Sequence, residues 1–339
     1  MKLSRSLLLI ALLTVAPLLA ADPKVETVLE GLVNPCGVAI QPETGIVFVS
    51  DSGLGKIVRI VEGKVQDVIT GSPKDVYGKG PKYEIGPLGI AFFDKNTLIV
   101  GDGGYVDGKE YVRVFTLPEA GKTLDYEKDA KTKAGPLEAT EDLKPEGNFY
   151  GLAISKTAVY VTSNGDDTKG WVLRMTIEGT KFGKLERWLA TKEAVEVDAP
   201  VGIALSPRGE IVVGQMGEVN LPNDSQLTFY SASTGKKLLN LETKLFDITA
   251  LAYHPKSGLL YATDFAWMEP KEAGLYRIDR GAKEGDAAVK VSKVVALEKP
   301  TAMAFAPDGT LYVTMIGAPG AEETAAKTGK LVKITLQQP

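Results

Sequence analysis

The segment GVAIQPETGIVFVSDSGLGKIVRI, Gly37–Ile60, holds the fold of this chain in miniature. It opens with a small residue, an aliphatic, Ala and another apolar residue. A turn follows at Pro42–Gly45, then an aliphatic-aromatic run that ends at Asp51. After a short glycine-rich loop, a second β-branched run carries Arg59. Short runs of this composition, bounded by Gly and Pro, read as strands. The opening returns as GIAF at Gly89, GLAI at Gly151, GIAL at Gly202, ALAY at Ala250 and AMAF at Ala302. Its Ala column (Ala39, Ala91, Ala153, Ala204, Ala252, Ala304) is spaced by 52, 62, 51, 48 and 52 residues. Self-similarity at such a period points to a repeat architecture, one supersecondary unit per period.

The rest of each unit agrees. The second run ends at Asp51, Asp102, Ser163, Gln215, Asp264 and Met315. The third carries Arg59, Arg113, Arg174, Arg277 and Lys333, with Phe229 in that column in the fourth unit. A last strand completes most units, as at Val65–Thr70 and Lys184–Ala190. Four short strands per unit make a propeller blade. The sixth unit has only three strands before the chain stops, and Lys24–Glu30 is a spare strand ahead of the first. The prediction is an all-β, six-bladed propeller over residues 22–339, one domain, closed by the N-terminal strand on the last blade. Closure protects sheet edges that would otherwise invite aggregation. The repeated basic column predicts pairing between blades. The long interval, residues 118–148, predicts an elongated outer hairpin and a solvated loop.

Residues 1–21 read as a secretory leader. Lys2 and Arg5 are followed by the apolar run Leu7–Val15 and by Ala20 and Ala21. The run is too short to span a bilayer. The expectation is an exported protein, periplasmic or secreted and bacterial in style, with no membrane span after cleavage. Losing Lys2 and Arg5 takes the formal net charge from −4 to −6, which argues against nucleic acid, whose binding needs a basic face. One Cys excludes a disulfide framework, and one His excludes mechanisms that need two.

The P-x-G-[VI]-A motifs, Ser50–Ile60 and Pro307–Val313 (PDGTLYV) carry a resemblance to the six-bladed NHL-repeat and gluconolactonase/regucalcin-like propellers, over essentially all of residues 22–339. The resemblance implies a metal held by Glu, Asn and Asp placed immediately before the small residue that opens an inner strand. Here those positions are Cys36, Leu88, Tyr150, Val201, Thr249 and Thr301, so the family's ligand set does not carry over. Asn34, Asn148 and Asp247 lie two residues earlier.

In this topology the residues before the inner strands and the loops after the second strands share one face, the top. Acids in those loops (Asp51, Asp102, Asp107, Glu110, Asp166, Asp167, Glu218, Asp224, Asp264, Glu269, Glu272, Glu322, Glu323) outnumber bases, which predicts a negative field there. The ends of the second strands suggest a site for a divalent cation such as calcium, at Asp51, Asp102, Asn164, Gln215 and Asp264, since hard cations take several oxygen ligands. Tyr105, Tyr150, Phe265, Trp267 and Met268 form the candidate ligand-binding group. His254 falls in the turn after an inner strand, on the opposite face, which speaks against His-dependent sugar dehydrogenase or lyase chemistry. Cys36 reads as a small buried thiol. The leading functional expectation is a monomeric module that binds a protein, glycan or small molecule through an acidic, aromatic-bearing top face. The alternatives are a metal-dependent hydrolase of lactonase type and a scaffold in a cell-envelope assembly.

Overall fold

The computed structural model describes residues 22–78, 81–165, 168–281, 288–317 and 324–336. The expected leader lies outside them, as do Asp166, Asp167, Glu322 and Glu323. Six antiparallel sheets form the blades. Their inner strands are Gly37–Ile40, Pro87–Asp94, Leu152–Ile154, Pro200–Leu205, Ile248–Tyr253 and Pro300–Phe305, which define blades 1 to 6. Each inner strand packs beside the next, and that of blade 6 packs back beside that of blade 1. The ring closes as expected. Lys24–Leu32 pairs antiparallel with Gly329–Thr335, Lys24 opposite Thr335 and Leu32 opposite Gly329.

Burial follows from this arrangement. Among the described residues six apolar clusters each join two neighbouring blades; Phe48, Leu98 and Phe115 meet between blades 1 and 2, and Tyr160, Val213 and Tyr230 between blades 3 and 4. Each such fully buried side chain is worth roughly 1.5–3 kcal/mol over its exposed state. In the first three blades the small residue that opens the repeat has a steric cause. A Cβ at Gly37 would strike the carbonyl of Leu88, one at Gly89 that of Tyr150, and one at Gly151 that of Val201. Hydroxyls fasten the same inner ring. Thr162 donates to the Val201 carbonyl at 2.9 Å, Thr249 to that of Pro300 at 2.8 Å, and Thr301 to that of Pro35 at 2.6 Å.

Two expectations are corrected. The basic column does not pair between blades except at Arg113, which holds Asp102 of its own blade and also Glu127 of the insertion beside blade 1. Arg59 binds Gln66 at 3.0 Å and Lys333 binds Glu26 at 3.2 Å, both across one strand pair in register. Arg174 binds Glu186 opposite it and lies over the Trp188 ring, while Arg277 binds Asp279 of its own strand at 2.8 Å. A cross-strand neighbour stands about 5 Å away, a facing sheet about 10 Å, so the nearer partner wins. Residues 118–148 do not form a simple outer hairpin either. Leu124–Asp125 lies parallel on the outer strand of blade 1, and Thr132–Ala134 then becomes the outer strand of blade 2. Between them Tyr126 is fully buried against Phe115. The insertion straps two blades together. No helix of the described residues is long and apolar enough to cross a membrane.

Candidate functional site

The six positions before the small residues converge. Register irregularities fall at Val201, Thr249 and Thr301, and in blade 2 across Leu88 and Gly89. A bulge leaves its extra residue unpaired and re-aims the side chain. With Cys36 and Tyr150 from blades 1 and 3, these residues line one chamber of about 90 Å³ at the top of the central channel. The column that matches the family's ligand positions therefore does face the axis in every blade, but with a thiol, a phenol, two hydroxyls and two aliphatic groups.

The walls come from the loops. The hairpin Asp75–Tyr77/Tyr83–Ile85, ahead of blade 2, supplies Tyr77, Tyr83 and Ile85. The blade 5 loop supplies Phe265 and Trp267, whose rings lie 5.0 Å apart, and Trp267 meets Tyr83 edge-on at 5.7 Å. Lys299 stands behind this wall and donates to the Tyr83 hydroxyl at 2.9 Å. No Asp, Glu, Lys, Arg or His lines the chamber among the described residues; the amides of Asn148 and Asn164 do. Burial pushes the Cys36 thiol up to about 12, so it stays neutral, and it donates to the Asn34 carbonyl at 3.2 Å. The floor is Tyr150, whose hydroxyl donates to the Thr301 carbonyl at 2.9 Å. Below it runs the central channel, about 290 Å³, lined by the inner strands.

Of the candidate ligand-binding group, Tyr150, Phe265 and Trp267 meet in this chamber. Tyr105 does not; its hydroxyl accepts from buried Arg113 at 2.9 Å and bonds Glu127, beside blades 1 and 2. Met268 points away, 63% exposed. Tyr77 and Tyr83 were missed because they sit between blades rather than in a second-strand loop. The alternating aromatics of VY and YEI around a Gly/Pro turn were the available signal.

The candidate cation residues are not brought together. Among the described residues no three His, Cys, Asp or Glu side chains stand close enough to hold an ion. Asp51 accepts from the Val33 amide at 2.7 Å. Asp264 accepts from the amides of Phe246 at 2.9 Å, Asp247 at 2.8 Å and Ala266 at 3.1 Å. Asp102 takes the Arg113 guanidinium at 2.8 Å, the Tyr126 hydroxyl at 2.6 Å and the Tyr111 amide at 3.0 Å. Gln215 is buried and donates to Thr228 at 3.3 Å, and only Asn164 reaches the chamber. Burial raises all three aspartates above their ordinary range. These carboxylates hold loops, and in Asp51 and Asp264 the grip is the same, on the segment entering their own blade.

The expected negative field is thinner for the same reason. Asp51, Asp102, Glu110 and Asp264 are buried; Asp107, Glu218 and Glu269 stand exposed. Burial pushes Glu110 up to about 9, so it is protonated at neutral pH. His254 sits at the opposite end of its inner strand from Thr249, its Nδ1 accepting from the Ser257 amide at 3.1 Å.

No family model matches the sequence, and no curated protein matches it. Solved structures do. The PQQ-bound aldose sugar dehydrogenase of Streptomyces coelicolor superposes with a TM-score of 0.61 at 15% identity, covering 94% of this chain and 99% of that one. The soluble aldose sugar dehydrogenase of Escherichia coli gives 0.60 at 14%, covering 93% and 100%. A gluconolactonase of Xanthomonas campestris gives 0.59 at 13%, covering 94% and 91%. The chain is a six-bladed β-propeller whose structural neighbours include gluconolactonases and PQQ sugar dehydrogenases. At these identities the likeness is one of fold, and a fold hosts many activities.

Proposed function

We propose that this chain is an exported binding module whose top chamber receives an apolar group, either a small ligand or a side chain of a partner. The observation that supports it most is the axial ring itself. Six blades aim Cys36, Leu88, Tyr150, Val201, Thr249 and Thr301 at one point, and aromatic walls from separate loops surround it. A largely apolar concavity with a few polar groups is what ligand sites look like. Catalytic machinery is poorly supported. The thiol is neutral, both ring threonines donate to carbonyls, and His254 is at the other end of its blade.

The alternative, a lactonase-type hydrolase, rests on the likeness to gluconolactonases. The ring donors do not suit a hard dication, which prefers carboxylates and amide oxygens, so no step is derived through one. Nor does the chamber suit PQQ, the cofactor held by the Streptomyces coelicolor enzyme; a planar tricarboxylate calls for cations and more room than about 90 Å³. A thermal-shift panel of neutral aromatics, sugar lactones, calcium and chelator separates the readings. Aromatics are expected to raise the Tm of the wild type and not of Val201→Trp, which fills the chamber. A wild type that responds only to calcium or to lactones would reverse the choice.

A further inference from the structure

We propose that Tyr150 is a partition across the propeller axis that sets the size of ligand the chamber accepts, and that this ligand is a neutral molecule of about one ring. The proposal rests on the binding reading above. Tyr150 enters from blade 3, and its hydroxyl bonds the backbone of Thr301 in blade 6, directly opposite in a ring of six. Thr301 falls in the register irregularity between Pro300 and Ala302, so its carbonyl is available to receive the phenol. The side chain thus crosses the axis. The spaces above and below it share a rim of Cys36, Tyr150, Val201, Thr249 and Thr301. With the phenol in place the chamber holds about 90 Å³; without it the space would continue into a channel of about 290 Å³.

Size and charge of the ligand follow. A chamber of about 90 Å³ is smaller than the roughly 150 Å³ apolar cavity that accepts benzene, which limits the ligand to about one small ring. No charged side chain lines it among the described residues, and an ion entering it would lose hydration without a partner. Burial also raises Tyr150 well above its ordinary range, so the partition keeps its proton and its bond through the physiological range.

The experiment uses the full chain as wild type, Tyr150→Ala and Tyr150→Leu, each checked for native circular dichroism. The leucine variant serves if the alanine variant does not fold. Calorimetric titration with 4-alkylphenols from phenol to 4-hexylphenol reads the depth. The wild type is expected to bind the short members and to lose affinity at least tenfold as the chain lengthens. The variants are expected to gain about fourfold per added methylene, the usual worth of burying one. A second readout needs no ligand. Cys36 borders both spaces, so a bulky thiol reagent should label it at least tenfold faster in the variants. Unchanged labelling together with the same length cut-off in wild type and variants would overturn the partition. Faster labelling with no phenol bound by any protein would uphold the partition and overturn both the ligand class and the binding reading.

Discussion

Asp247 illustrates how one residue couples the candidate site to its scaffold. Its carboxylate accepts the Trp267 amide at 2.5 Å and lies beside Asp264. Burial, the largest cause, pushes it up from 3.8 to about 7. Between those values the folded chain keeps a proton that the unfolded chain releases, so stability falls as pH rises through that window. Glu110, raised from 4.5 to about 9, acts with the same sign up to higher pH. The Tm is therefore expected to be higher at pH 5 than at pH 8, and Asp247→Asn to flatten part of that slope while raising the Tm at pH 8. An identical slope in the variant would refute the assignment to Asp247. Trp267 itself is half-buried. Trp267→Ala is expected to weaken binding of a neutral aromatic about tenfold while the Tm drops by only a few degrees, read by titration and scanning calorimetry; global unfolding would mark the ring as packing alone.

Among the elements, the strap over blades 1 and 2 carries the clearest energetic consequence. Arg113 is fully buried, with Asp102 at 2.8 Å, Glu127 at 3.0 Å and the Tyr126 ring 4.7 Å from its guanidinium. Removing one partner of a buried pair strands the other and costs about 3–5 kcal/mol, whereas replacing both by apolar groups is often neutral. Arg113→Met is expected to lose stability of that order, and Arg113→Met with Asp102→Leu to recover most of it, measured by denaturant unfolding. A double variant as unstable as the single one would show that the strap depends on the charges themselves. The inner strands give a gentler test. Thr249→Val removes a hydroxyl bonded to the Pro300 carbonyl and should cost about 1 kcal/mol, with no change in labelling of Cys36.

For the whole molecule, closure is the feature on which every other placement rests. Val28, Leu29 and Leu32 of the N-terminal strand pack with Leu331, Val38 and Val49 between blades 6 and 1. Deleting residues 22–32 would expose that cluster and leave Gly329–Thr335 as an unpaired edge, which favours association with other chains. The expected result is a broadened unfolding transition and oligomers on gel filtration. A monomer that unfolds as sharply as the full chain would contradict it.

Much of this was legible beforehand because repetition converts sequence into geometry. The Gly/Ala-x-Ala columns set the number of blades; at Gly37, Gly89 and Gly151 a side chain would strike the carbonyl of the next blade. The residue ahead of each small one was identifiable as axial through the family resemblance, and its chemistry, with no carboxylate or amide, already removed that family's ligand set. Other properties needed the third dimension. That Asp51 and Asp264 face backwards onto backbone amides, and so leave the top face less acidic than composition implied, depends on loops whose paths no local pattern encodes. That residues 118–148 strap blade 1 depends on where a buried guanidinium finds its acids. And that Tyr150 bridges to Thr301, 151 residues away in sequence, is decided only once the ring has closed. Periodicity is a property of neighbours along the chain; a contact across the axis is a property of the finished circle.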